Sequence, residues 1–278
     1  MKLIFSPRCL EYGFPSHPEN PERLRQAYEF LKPYYSFIEP REAEESELLL
    51  VHSKEYVEII RREEFYDPDT PAYPNIYKYA LLSAGAAIIA AKQNCFSLMR
   101  PPGHHAGRNG LALGAPTLGF CYFNNIAIAT RKLGKKVLIL DIDAHHGNGT
   151  QEIFQGDPNV IYISLHTKGI YPGTGLKSEG NCYNFPLPWG TGDEEYLSTL
   201  EKALKGIDLS GVEIVGVSAG FDTLRGDLGG LSLSEGCFRK IGKIIRELNL
   251  PTFFILEGGY RNLGKCIFEF LRGFEGET

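Results

Sequence analysis

The chain has 278 residues, 43% of them hydrophobic and 23% charged, with a net charge of −5. That is enough apolar material for one large α/β domain, and it argues against disorder outside the ends. The acidic balance carries no electrostatic footprint for nucleic acid or an anionic membrane, and no apolar run is long enough to span a bilayer, so a cationic ligand suits the chain better. Cys9, Cys95, Cys121, Cys182, Cys237 and Cys266 are dispersed without a CxxC pair, which predicts buried thiols in a reducing compartment. The first residues, MKLIFSP, lack a long apolar leader and a cleavage signal, so the expected location is the cytoplasm.

In chain order, residues 2–5 read as a short strand halted by Pro7. HPENPER at 17–23 is a Pro-punctuated loop entering a helix near Pro21, with Arg23 either on the surface or beneath a pocket. Residues 48–52 read as another strand, after which Ser53 can cap a helix through about Arg62, while the acidic run at 42–47 reads as a solvated face. The loop FYDPDTPAYP at 65–74 is stiff and aromatic, as binding rims are; Asp69 within it either holds a polar ligand group or forms the turn. An Ala-rich helix follows to about Gln93, then a strand over 95–99.

That strand runs into RPPGHHA at 100–106, and two adjacent histidines in a Pro/Gly loop have no core-packing explanation. Imidazoles held on one nitrogen by a carboxylate or amide are the usual acid–base groups. GFCYFNN at 119–125 precedes a helix over 126–133, and Phe120 either lines an apolar slot or packs in the core. Residues 137–140 form a continuous aliphatic run, the pattern of a parallel strand buried on both faces. The run ends in Asp141, Asp143 and His145, which converge if the extended geometry persists, because residues two apart share a face. Acids at a buried strand end are costly without a counter-charge, so Asp143 and His145 read as metal ligands rather than as partners of loop backbone.

A short helix over 149–154 and a strand over 160–165, closing in Ser164 and His166, come next. Tyr171, in the rigid loop IYPGTG, reads as a pocket wall, and residues 193–205 read as a helix. A third buried strand begins at Glu213 and leads to Asp222, which takes the same topological position as Asp141 and Asp143 and so supplies a third ligand. The last strand, 252–256, runs into EGGY, whose glycines bend the backbone to present Tyr260. Strands alternating with helices throughout predict a single domain with a mostly parallel open sheet flanked by helices.

Two carboxylates and one imidazole neutralise a divalent ion and leave coordination positions open, as a catalytic site requires. Zinc is the first choice; iron(II), cobalt(II) or manganese(II) also suits such donors. A metal lowers the pKa of bound water to roughly 7, a nearby histidine completes its deprotonation, and attack on a carbonyl gives amide hydrolysis, with Tyr260 donating to the developing oxyanion.

The motifs RPPGHHA, GFCYFNN, DIDAHHGNGT at 141–150, SLH at 164–166, YPGTG at 171–175, AGFD at 219–222 and EGGY at 257–260 resemble the zinc-dependent histone deacetylase and acetylpolyamine amidohydrolase superfamily over nearly the whole chain. The resemblance implies Asp143, His145 and Asp222 as zinc ligands, His105 as general base and then acid beside Asn148, His104 held by Asp141, and Tyr260 polarising the acyl carbonyl. It implies a structural potassium ion at Asp141, the backbone of Asp143 and His145, Ser164 and Leu165. Substrate contacts would be Phe120 and Tyr171 as tunnel walls, Gly258, Asp69 at the rim and Arg23 in the floor. The implied substrate is an acylated lysine, polyamine or small acylated amine.

Position 148 is Asn where many nuclear-type members have Asp, so the partner of His105 is neutral, as in the class II and bacterial branch. Position 181 is Asn where a second cation site often has Tyr, so that site is not expected. The two-metal ureohydrolases need further acids at positions occupied here by Gly147 and Leu224. A catalytically silent acyl-lysine binding module would have lost a ligand or the tyrosine, and none is lost.

Overall fold

The strands that carry the site are mainly apolar, with their polar residues mostly toward the carboxyl ends, and they are buried at every residue: β4 (Val137–Asp141), β5 (Val160–Thr167), β7 (Ile214–Ala219) and β8 (Thr252–Leu256). Around them lie β1 (Leu3–Ile4), β2 (Phe37–Ile38), β3 (Phe96–Ser97) and β6 (Cys182–Leu187). These elements come from a computed structural model that describes residues 1–276. All eight strands pair in parallel in the order β2-β1-β3-β8-β7-β4-β5-β6.

Nine α-helices connect them among the described residues: α1 (Pro21–Leu31), α2 (Glu45–Leu48), α3 (Lys54–Arg62), α4 (Ile76–Gln93), α5 (Asn125–Leu133), α6 (Asn148–Phe154), α7 (Asp193–Gly206), α8 (Glu235–Glu247) and α9 (Leu263–Glu275). They pack as two groups, α1 on α9, α9 on α8 and α8 on α7 in one, and α3 on α4, α4 on α5 and α5 on α2 and α6 in the other. A doubly wound sheet, apolar on both faces, requires such a pair of layers. None of these helices is long and apolar enough to cross a membrane.

The chain winds outward from β4 through β5 to β6, then returns to the other side of β4 as β7. The topological switch point therefore lies between β4 and β7, and their register sets Asp141 beside Ser218. Ligands of open parallel sheets bind in the crevice that opens at such a point.

Two local expectations need correction, and the alternative left open for Arg23 is decided. Residues 48–52 are not a strand; Leu48 ends α2, and the following turn seats buried Val51 and His52. The acidic run is not wholly a solvated face, since Glu47 is buried and closes a capping box with Glu44 while taking Arg41 at 2.7 and 2.8 Å. Arg23 is not on the surface: it is 6% exposed and donates to the carbonyls of Gly259 and Glu257, both at 2.9 Å.

Candidate metal centre and active site

The extended run stops at Asp141, and a turn carries the chain through residues 142–147 into α6. The turn, not strand alternation, aims Asp143 and His145 at Asp222, which follows β7. One ligating atom from each of the three lies within 4.8 Å of the others. The carboxylates are fixed from behind. Asp143 Oδ2 accepts from Gly258 N at 2.8 Å and Oδ1 from His145 N at 2.9 Å, while Asp222 Oδ1 accepts from Ala144 N at 3.0 Å.

Asp222 Oδ2 is buried with no aligned hydrogen-bond donor, although His145 Nδ1 lies 2.8 Å away. A buried carboxylate oxygen left open is costly unless a cation takes it. Burial opposes charge on His145, but Asp222 and Asp143 hold its imidazolium up to about 10. Burial and the neighbouring Asp143 raise Asp222 to about 6. Both shifts describe a cluster with excess negative charge, and the donor set fits one divalent cation.

Glycines let the cradle close. A Cβ at Gly258 would lie 2.6 Å from Asp143 Oδ2 and 2.9 Å from Asp222 Oδ2. At Gly147 a Cβ would lie 2.3 Å from Asp141 Oδ2 and 2.7 Å from Tyr162 Oη, so a further acid has no room there.

The paired histidines sit beside this centre on the loop after β3. His104 Nδ1 faces Asp141 Oδ2 at 3.0 Å; burial alone would lower its pKa, but Asp141, Asp143 and Glu257 hold it at about 10. His105 Nδ1 faces Asn148 Oδ1 at 2.8 Å, and Asn148 Nδ2 donates to Ala112 O at 2.9 Å. That second bond commits the amide, so His105 carries its proton on Nδ1 and leaves Nε2 free. Burial, then the cationic His104 and His145, push His105 well below the usual histidine value.

A cavity of about 210 Å³ reaches these groups. His105, Phe120, Tyr171, Tyr260 and Gly258 line it, with Asp69 among the lining residues. The Phe120 and Tyr260 rings meet edge-on with centroids 6.3 Å apart, and the Arg23 guanidinium lies 5.1 Å from the Tyr260 ring centroid. Asp69 is already occupied by protein donors: Thr70 Oγ1 and Gly119 N on Oδ1 at 2.8 and 3.1 Å, and Thr117 Oγ1 on Oδ2 at 2.6 Å. Asp141 and Ser164 are register partners on β4 and β5.

Sequence reasoning assigned no role to Leu228, Pro102 and Cys121, which also line the cavity, nor to Glu257. Glu257 accepts from Gly103 N at 2.7 Å, His104 N at 3.2 Å and Ser218 Oγ at 3.1 Å, so it anchors the histidine loop to β7. Burial raises its pKa to about 7. Its signal was present, an acid at a strand end like Asp141; Leu228 offers none, being one leucine in a loop.

Fold and site together define a metal-dependent hydrolase on an open parallel α/β sheet. The chain belongs to the histone deacetylase family: the model of the histone deacetylase domain matches residues 17–272. It is 39% identical to a probable deacetylase of Methanothermobacter thermautotrophicus, covering 100% of this chain and 91% of that protein. It is 36% identical to histone deacetylase 15 of Arabidopsis thaliana, over 88% of this chain and 50% of that one. Among solved structures, the HDA15 HD domain superposes with a TM-score of 0.87 at 34% identity, covering 100% of this chain and 91% of that one. An acetylpolyamine aminohydrolase from Burkholderia pseudomallei shares the fold with a TM-score of 0.88 at 24% identity, over 99% and 98% of the two chains.

Proposed function

We propose that the protein is a single-metal deacylase that removes an acyl group, foremost acetyl, from an acylated primary amine such as a lysine, a polyamine or a small metabolite amine. The observation that carries this reading is the open, buried Asp222 oxygen facing Asp143 and His145 beside a histidine whose free nitrogen is fixed by Asn148. Asp143, His145 and Asp222 would hold zinc, with iron(II) or cobalt(II) acceptable to the same donors. When bound, the ion supplies Lewis acidity and lowers the pKa of water.

The chain's own residues do the rest. His105, kept neutral, takes a proton from the attacking water at Nε2 and passes it to the departing nitrogen. The water oxygen ends in the carboxylate product and the amine leaves with the proton. His104 beside it is held as the cation by Asp141 and stabilises the negative charge that develops nearby. Desolvation pushes the Tyr260 phenol well above its ordinary pKa, so it stays a donor for the carbonyl oxygen. Arg23 fixes the carbonyls of Glu257 and Gly259 and so steadies the turn that carries Tyr260. Phe120 and Tyr171 flank the acyl-amine stem. A structural potassium ion at Asp141, Ser164, Leu165 and the backbone of Asp143 and His145 would offset part of the buried negative charge.

Neither Gly147 nor Leu224 has a side-chain donor for a second metal, which counts against the two-metal ureohydrolase reading. The test is a turnover panel of acetyl-lysine peptides, acetylpolyamines, longer acyl-lysines and small acetylated amines with metal-reconstituted protein. Release of carboxylate from at least one class is expected, and no release with zinc, iron(II) or cobalt(II) would overturn the reading.

A further inference from the structure

Phe120 is a non-glycine residue held at φ +70°, directly after Gly119 at φ +57°. A bulky side chain rarely adopts that backbone unless its surroundings over-determine it. Here they do. The three successive amides of this turn are each taken by a side chain of the loop at 67–70: Leu118 N by Asp67 Oδ2 at 2.9 Å, Gly119 N by Asp69 Oδ1 at 3.1 Å and Phe120 N by Thr70 Oγ1 at 2.8 Å.

Thr70 is fully buried, and its hydroxyl cannot turn away, because it donates to Asp69 Oδ1 at 2.8 Å while accepting from Phe120 N. Asp67 Oδ1 in turn fixes the backbone amides of Asp69 and Thr70 at 3.1 and 3.0 Å. Tyr171, which also lines the cavity, is tied to the same strip: its Oη donates to Thr117 O at 2.8 Å, and Thr117 Oγ1 donates to Asp69 Oδ2. A carboxylate already taken by three protein donors has little capacity left for a ligand, so the structural work of Asp69 is to shape the wall.

We propose that Thr70 is a positioning residue for the reaction: by accepting the Phe120 amide it locks the Phe120 ring in the cavity wall and sets the bore that grips the substrate stem. The inference rests on the deacylase reading for its consequence, and on the hydrogen bonds alone for its cause. Thr70→Val keeps the shape and removes the acceptor; Thr70→Ser keeps the acceptor.

Two measurements on the full chain test it. In amide hydrogen exchange, the Phe120 N–H is expected to exchange about 10-fold or more faster in Thr70→Val and to stay near wild type in Thr70→Ser. With an acetylated amine that wild type hydrolyses, Thr70→Val is expected to raise KM about 10-fold with kcat within about twofold, and Thr70→Ser to restore KM, as loss of a binding wall common to ground and transition states requires. Unchanged exchange in Thr70→Val overturns the proposal whether or not any substrate is found. Unchanged KM, or a Thr70→Ser variant as impaired as Thr70→Val, also overturns it. If wild type cleaves no acylated amine, the deacylase reading and its bore fail together, while the exchange result still decides whether Thr70 locks Phe120.

Discussion

Asn148 decides what His105 can be. Its Oδ1 is the acceptor for Nδ1 because its Nδ2 is committed to Ala112 O, so one neutral side chain sets a histidine tautomer without adding charge. Asn148→Asp would place a carboxylate there and raise the His105 pKa, so the unprotonated form that the proposed base role requires would appear only at higher pH. The acidic limb of the kcat/KM profile is expected to move up by about one pH unit, and an unmoved limb would take His105 out of the base role. Tyr260→Phe keeps the ring against Phe120 but removes the phenol. Its kcat is expected to fall about 100- to 1000-fold with metal content unchanged, since a single oxyanion donor is worth that much.

At the scale of elements, the short helix α2 depends on a buried acid. Glu47 accepts from Arg41, from the Glu44 amide at 2.9 Å and from Lys132 at 3.0 Å. The Arg41 hydrogen bonds, with help from the Glu44 amide and Lys132, lower its pKa to about 2 against an ordinary 4.5. A depressed acid contributes stability that is fully present above its unfolded value and is lost as pH falls toward the folded one. Glu47→Gln is therefore expected to cost about 1 kcal/mol by urea unfolding at pH 7, with the gap to wild type closing as pH falls below 4.5.

Legibility followed how strongly each segment's own residues dictate its state. Residues 137–140 and 253–256 are apolar throughout, which suits burial on both faces, so β4 and β8 were readable. β6 was not: it carries Pro186, is only partly buried and lies at the sheet edge, where a missing amide is tolerated. The two-residue β2 has too few positions to show a period. Residues 48–52 misled because Leu48 and Val51 are buried at a helix end, and a short apolar run does not distinguish that from a strand. The acids that cluster with His145 were readable because acids at apolar strand ends stand out. Thr70 was invisible because its role depends on a contact with Phe120 fifty residues away.

Over the whole molecule, the wound sheet brings the carboxyl ends of β3, β8, β7 and β4 side by side, and each delivers one part of the site: the histidine pair, the Gly258–Tyr260 turn, Asp222, and Asp143 with His145. The proposed cation, bridging residues that follow β4 and β7, would bind only the folded chain and so would add stability by mass action. Saturating zinc at 100 times its Kd is expected to contribute about 2.7 kcal/mol to unfolding, and Asp222→Ala should abolish that increment. A zinc-induced rise in Tm that survives in Asp222→Ala would mean that the ion binds elsewhere. The central claim, one ion serving one deacylation site, is tested most directly by titrating metal-free protein with zinc while measuring acetate released from the best acetylated amine. Release that rises linearly and saturates at one equivalent per chain is the predicted result; saturation only at two equivalents, or no acetate at any ratio, would contradict it.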